Sequence, residues 1–356
     1  MKRRILLTGG GTAGSVTPLM ALAAQLRRLD DQTEFLFVGT MDGPERTLAT
    51  AGNLAFHALP SGKWRRYWSW QNVIDLGQLW RAYWQARRLL QQWRPDVVVS
   101  AGSYVSVPVV WAAHALGLKT LIHQQDIQPG LANRLMAPFA DRITVSFEKS
   151  LQDFPRHKVQ WTGNPVRPEI LLGSADAGRK LFQLPTTSPV LLILGGGTGS
   201  AYLNQVISAT AFKLVRQWSI IHITGSQRDF PELRHEHYHP FPFLTWQLPH
   251  ALAVADVVIS RAGLGAFSEL AALGKAAIFV PMPASHQEQN ADVIRQAKAG
   301  LVIEQDKFDQ AKLLDTTNTL LAHPAERQLF GQNLHQFYRP DAVVRLADEV
   351  LHLIAA

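Results

Sequence analysis

The chain has 356 residues, 47% of them apolar, which suits two domains of ordinary size better than one core. It has no cysteine, so disulfides and thiolate metal sites are excluded. No apolar run approaches the roughly 20 residues that a membrane-crossing helix needs, and residues 5–7 are too short for the apolar core of a signal peptide; a soluble or peripheral protein is expected. Residues 1–167 carry 20 Lys/Arg against 11 Asp/Glu and the remainder 15 against 17, so the basic excess lies wholly in the first half. That excess suits nucleic acid, an anionic membrane surface or an acidic substrate.

Residues 5–7 read as a buried strand running into the glycine loop Gly9-Gly10-Gly11-Thr12-Ala13-Gly14-Ser15, and residues 16–29 recur at helical spacing with Pro18 near the start. As a dinucleotide fingerprint the loop is weak, because no acidic residue ends a second strand about 20 residues on. The pattern returns 186 positions later, where residues 190–194 lead into Gly195-Gly196-Gly197-Thr198-Gly199-Ser200 and a helix. Strands are predicted at 35–38, 97–100, 120–122 and 143–146 in the first half and at 220–224, 257–259 and 277–280 in the second. Strand-helix alternation gives parallel sheets with ligands at their carboxyl ends, here in a cleft between two doubly wound halves. Residues 161–168, with two prolines and a glycine, are the expected linker.

Six of the ten tryptophans fall between 64 and 93. Trp64, Arg65, Arg66, Trp68 and Trp70 are followed by Trp80, Arg81, Tyr83, Trp84, Arg87, Arg88 and Trp93, with Asp75 the one acidic residue. Tryptophan beside arginine suits a bilayer interface; stacking on single-stranded nucleic acid and packing into the core are the other readings.

Residues 257–269, VVISRAGLGAFSE, read as strand, turn and helix, the helix placed at 267–273. Gly263 and Gly265 allow positive φ or close approach of a ligand, and free N–H groups in the first helical turn attract an anion. Glu269 is positioned to accept hydrogen bonds from a diol such as a ribose, or else is a solvated first-turn glutamate.

The blocks GGGTAGSVTP, SAGSYVSVP, HQQDIQPGLANRL, TGNPVR, GGGTGSAYLNQ, SRAGLGAFSE and HQEQNA, in that order, resemble the MurG family. These are bacterial glycosyltransferases of family 28 that add N-acetylglucosamine to undecaprenyl-diphosphate-muramoyl-pentapeptide. The resemblance spans nearly the whole chain. It implies the α/β GT-B fold, two Rossmann-like doubly wound domains facing across a cleft. Residues 1–163 would take the acceptor and face the membrane, 164–340 would bind the UDP-sugar, and 341–356 would form a helix returning to the first domain.

By the same resemblance the donor site comprises Thr12, Gly14, Arg167, Gly197, Thr198, Gly199, Arg261, Gly263, Leu264, Gly265, Glu269, His286, Gln287 and Asn290. Arg167 would face the diphosphate; His286 and Gln287 would grip the sugar. Tyr104, Ser106 and Asn133 would line the acceptor pocket, and Trp64, Arg65, Arg66, Trp68, Trp70, Trp80 and Trp84 would meet the cytoplasmic face of the membrane. The implied partners are a UDP-sugar and a polyprenyl-diphosphate-linked acceptor, with no cofactor, no metal and no nucleic acid.

The chain departs from the family on the acceptor side. The family's first loop ends in a histidine favoured as the base, and Ser15 stands here, which cannot do that proton work near neutral pH. The family's His-Glu-Gln-Asn reads His123-Gln124-Gln125-Asp126, so Asp126 is the candidate base, with His123 or Ser15 orienting the acceptor; alternatively Asp126 caps a helix. The implied reaction is an inverting displacement of UDP by an acceptor hydroxyl. A different lipid-linked or small-molecule acceptor, a UDP-sugar-binding protein without activity, and a UDP-sugar epimerase are the competing readings.

Overall fold

The computed structural model describes residues 2–11, 13–41, 43, 45–60, 70–196, 199–225 and 233–355, with the backbone alone at 13 and 70–76. The chain divides into two compact units, Met1–Val166 with Arg339–Ala356, and Arg167–Tyr338. The division falls between Val166 and Arg167, three residues beyond the expected boundary.

The first unit is a sheet of seven parallel strands: β1 (Arg4–Thr8), β2 (Glu34–Gly39), β3 (Ala55–Ala58), β4 (Val97–Ser100), β5 (Lys119–Gln124), β6 (Arg142–Val145) and β7 (Val159–Trp161). Their order is β3-β2-β1-β4-β5-β6-β7. Both faces are covered, which is why the strands read as continuous apolar runs. Ile5 and Leu7 pack on one side with Leu19 and Leu22 of helix Thr17–Leu29 and with Leu346 and Val350 of the C-terminal helix Ala342–Ala355. Leu6 and Val98 pack on the other with Leu90 and Val109, from helices Trp70–Trp93 and Ser106–Ala115. Each such side chain contributes about 1.5–3 kcal/mol relative to exposure.

The second unit repeats the plan with six parallel strands: β8 (Val190–Leu194), β9 (Ser219–Ile223), β10 (Tyr238–Phe241), β11 (Val257–Ser260), β12 (Ala277–Phe279) and β13 (Leu301–Val302), in the order β10-β9-β8-β11-β12-β13. One face is closed by Leu203, Ile207 and Leu214 of helix Ala201–Leu214 and by Trp218, Phe308 and Leu313. In each unit the strand order reverses between the first and fourth strands, β1 and β4 or β8 and β11. Ligands of doubly wound sheets bind outside the carboxyl ends at that switch point.

Candidate functional site

In the second unit the switch point gathers the loops after β8, β11 and β12. Helix Leu264–Leu273 begins at Leu264, so Glu269 sits in its second turn, not its first. Gly263 precedes that helix in extended backbone (φ −82°) and Gly265 lies inside it, so neither supplies a left-handed turn; Gly263 instead leaves space beside the Gln287 amide. Glu269 is buried, and Arg167 donates to its Oε1 from both Nε (3.2 Å) and Nη2 (2.7 Å). Among the described residues no donor reaches Oε2, which leaves one carboxylate oxygen for a ligand hydroxyl. The Glu269 charge raises the Arg167 pKa further, against the opposing effect of burial. The Arg167 charge is thus paired with Glu269 in this structure.

Arg261 stands differently. Its Nη1 donates to the Val280 and Pro281 carbonyls (3.1 and 3.3 Å), and its Nη2 to Ser200 Oγ (2.7 Å) and Gln305 Oε1 (2.8 Å). All four acceptors are neutral, and among the described residues Arg261 forms no ion pair, so a fixed positive charge remains beside the second glycine loop. Gln287 Oε1 accepts Met282 N–H (3.0 Å), which leaves its amide hydrogens beside Gly263, and Asn290, buried, donates to the Ala262 carbonyl (3.0 Å). Exposed His286 is the N-cap residue of helix Gln287–Gln296.

In the first unit the loops after the neighbouring strands β1, β4 and β5, which carry Ser15, Tyr104 and Asp126, all leave the carboxyl end of the sheet side by side. Ser15 Oγ donates to the Gly10 carbonyl (3.1 Å). Tyr104 and Asp126 are half-buried. Ser106 is fully buried and donates to the Gly102 carbonyl (2.9 Å), so it braces the β4 loop and does not line a pocket, a correction to its expected role. Asn133 is buried, donates to Gln124 Oε1, and among the described residues its own Oδ1 has no hydrogen-bond partner.

His123 also departs from expectation. It is 0% exposed, with Nδ1 at 2.9 Å from Thr144 Oγ1 and Nε2 at 3.0 Å from Asn164 Oδ1. Burial drives its pKa down to about 4, against the opposing Asn164 bond. A neutral imidazole engaged at both nitrogens ties β5 to Thr144 of β6 and to Asn164, and cannot orient an acceptor directly.

The Glycosyltransferase family 28 N-terminal domain matches residues 5–145 and the C-terminal domain of the same family residues 190–344. A Geobacillus kaustophilus protein is 38% identical over 87% of this chain and 88% of its own length, and a Lachnoclostridium phytofermentans protein is 35% identical over 98% and 99%. Both are named UDP-N-acetylglucosamine--N-acetylmuramyl-(pentapeptide) pyrophosphoryl-undecaprenol N-acetylglucosamine transferase. The chain belongs to glycosyltransferase family 28.

The fold is that of GT-B glycosyltransferases, two Rossmann-like α/β domains on one chain. Acinetobacter baumannii MurG superposes with a TM-score of 0.69 at 23% identity, covering 99% of this chain and 100% of that one. A putative UDP-N-acetylglucosamine 2-epimerase from Listeria monocytogenes gives 0.73 at 12%, covering 98% and 96%. At those identities the likeness is one of fold alone.

Within the family frame, Gln124 explains one departure physically. Its Nε2 donates to the Asp126 (2.6 Å) and Gln128 (3.0 Å) carbonyls, bonds that the family's carboxylate could not make, so the amide shapes the loop that carries Asp126. Glu45 is a residue that sequence reasoning missed. Its carboxylate is 0% exposed, accepts Gly11 N–H (3.3 and 3.2 Å) and Thr40 N–H (2.6 Å), and binds the Thr40 hydroxyl. A Cβ on Gly10 would stand 2.4 Å from that carboxylate, so Gly10 makes room for an internal anion. The signal available was a glutamate closely following a second glycine-bearing strand end.

Thr12, Gly197, Thr198, Trp64, Arg65, Arg66 and Trp68 lie outside the described residues, as does the side chain of Trp70. Trp80 (60%) and Trp84 (55%) are exposed on the same face of helix Trp70–Trp93 as Arg81 and Arg88, while Ala82, Ala86 and Leu90 are buried. Tyr83 sits between the two tryptophans edge-on, and Trp93 packs against the core.

Proposed function

We propose that this chain transfers N-acetylglucosamine from UDP-N-acetylglucosamine to a polyprenyl-diphosphate-linked muramoyl-pentapeptide with inversion at the anomeric carbon. The observation that carries the reading is Glu269, held by Arg167 through one oxygen and, among the described residues, met by no donor at the other, in helix Leu264–Leu273, whose start carries no side-chain cap. This suits a ribose diol next to a diphosphate. In the displacement the acceptor oxygen forms a bond to the anomeric carbon, the bond to the diphosphate oxygen breaks, and the acceptor proton passes to the Asp126 carboxylate. Charge left on UDP is stabilised by the helix N–H groups and by Arg261. Gln124 holds the Asp126 loop, and Ser15 is a hydroxyl within the adjacent loop, not a base.

Trp80 and Trp84 with Arg81 and Arg88 support contact with an anionic bilayer surface, on the cytoplasmic side where the nucleotide donor is available. Among the described residues no helix is long and apolar enough to cross a membrane. No cofactor or metal is needed in this scheme, since the charge on UDP is met by protein groups.

UDP release from UDP-N-acetylglucosamine, measured with and without a water-soluble muramoyl-peptide analogue, tests the reading. Acceptor-dependent release is expected. Asp126→Asn should lower kcat by about 10²–10⁴-fold, and undiminished turnover in that variant would remove Asp126 as the base. Ser15 favours one second reading, the same donor with another acceptor, which donor binding without acceptor-dependent release would support.

A further inference from the structure

Beneath the second glycine loop lies a buried polar chain that takes no part in the scheme above. Asn204, only 2% exposed, is four residues into helix Ala201–Leu214, and its Nδ2 donates to the Thr224 carbonyl at 2.8 Å. Its Oδ1 lies 3.1 Å from His222 Nε2, and His222 Nδ1 lies 2.7 Å from the Tyr238 hydroxyl. The direction of every bond follows from Thr224. A carbonyl only accepts, so the Asn204 amide group faces it and Oδ1 faces the histidine, which must donate from Nε2. Burial lowers the His222 pKa to about 4, so at neutral pH the ring has one N–H, and Nδ1 is left to accept from Tyr238.

The far end of this chain touches the loop. The Thr224 carbonyl stands 2.5 Å from where a Cβ on Gly199 would be, and Gly199 has φ +82°. Gly199 N–H donates to the Gly196 carbonyl (3.1 Å), and the next residue, Ser200, accepts from Leu203 N–H and from Arg261. The loop end is thus fixed from two sides, by Arg261 through Ser200 and by the buried chain through Thr224. We propose that Tyr238, His222 and Asn204 form a one-directional hydrogen-bond relay that sets the Thr224 carbonyl against Gly199, and so are positioning residues for the UDP-sugar. The inference rests on the donor reading of that loop.

The test is titration of UDP by calorimetry, with steady-state KM values for UDP-N-acetylglucosamine and for the soluble acceptor analogue. Asn204→Asp keeps the shape and the bond from His222 but sets a carboxylate oxygen against the Thr224 carbonyl. His222→Leu removes both ring bonds, and His222→Gln restores a donor toward Asn204. The first two should weaken UDP binding and raise the donor KM about tenfold, with the acceptor KM unchanged; His222→Gln should recover most of the loss. Should His222→Leu fail to fold, Tyr238→Phe, which deletes one hydroxyl, carries the same comparison with a smaller shift. Wild-type affinity for UDP in Asn204→Asp overturns the relay. Equal loss of donor and acceptor affinity with a lowered Tm also overturns it, since that is plain destabilisation. A wild-type protein that does not bind UDP overturns the donor reading itself, and the relay with it.

Discussion

At the scale of single residues, the chain's departures from its family are resolved by asking which groups donate and which accept. Gln124 replaces a carboxylate, and its amide hydrogens bind two carbonyls of the loop that carries Asp126. Gln124→Glu should therefore not restore a family-like site. It sets a charge against two carbonyl dipoles in a buried place, and the expected outcome is a loss of about 1–3 kcal/mol in stability together with a fall in acceptor-dependent UDP release. A variant as stable and as active as the wild type would show that the loop does not depend on that amide. Glu45 makes the complementary case, a buried carboxylate whose donors among the described residues are all neutral. In Glu45→Gln one amide hydrogen must face an N–H, so the denaturant midpoint should fall, by about 1–3 kcal/mol of stability, and the acceptor KM should rise while UDP affinity is kept. Neither role was legible in advance. A glutamine or glutamate in one dimension does not disclose which backbone groups the fold will bring to it.

At the scale of elements, the interior strands were legible and the edges were not. The predicted strands correspond to β1, β2, β4, β5 and β6 in the first unit and to β8, β9, β11 and β12 in the second. The four that escaped, β3, β7, β10 and β13, are the four sheet edges. Interior parallel strands are buried on both faces and show as apolar runs; edges are short and partly wet, as in Ala55–Ala58 or in Tyr238–Phe241 with its histidine and proline, so the apolar signal fades. In the sequence the stretch 64–93 reads as one tryptophan-rich segment, whereas burial splits its helix Trp70–Trp93 into a core face through Ala82, Ala86 and Leu90 and an outer face through Trp80 and Trp84. If the outer face meets lipid, Trp80→Ser with Trp84→Ser should reduce cosedimentation with anionic vesicles about tenfold or more and leave turnover of the soluble acceptor analogue unchanged. Cosedimentation equal to wild type would assign that face no lipid contact.

For the whole molecule, each unit holds a buried imidazole on one of its strands, His123 on β5 and His222 on β9, and both have pKa values lowered to about 4 by burial. The unfolded chain takes up these protons near the ordinary histidine pKa of about 6.5, whereas the folded chain resists until about pH 4. The stabilising contribution is therefore complete above about pH 6.5 and is lost as the pH falls toward 4, roughly 1 kcal/mol for each histidine by about pH 5.5. Thermal melts between pH 7.5 and 5 (values near the ordinary histidine range) should show Tm falling with acidity, and His123→Gln and His222→Gln should each flatten part of that slope. A Tm independent of pH would mean that these imidazoles are not held neutral by the fold.

The sequence by itself determined the class, two doubly wound halves with paired glycine loops, and the order of motifs that marks the family, because local periodicity and turn chemistry are written along the chain. It also named Glu269, Arg167, Gln287 and Asn290 as a group. Only the tertiary structure decided what each does. Arg167 balances Glu269 while Arg261 keeps its charge; Ser106 and His123 are buried braces; and the Tyr238–His222–Asn204 chain ends under Gly199. The reason is that charge balance, burial and bond direction depend on neighbours that the strand order brings together from distant parts of the sequence, such as Arg167 and Glu269, 102 residues apart.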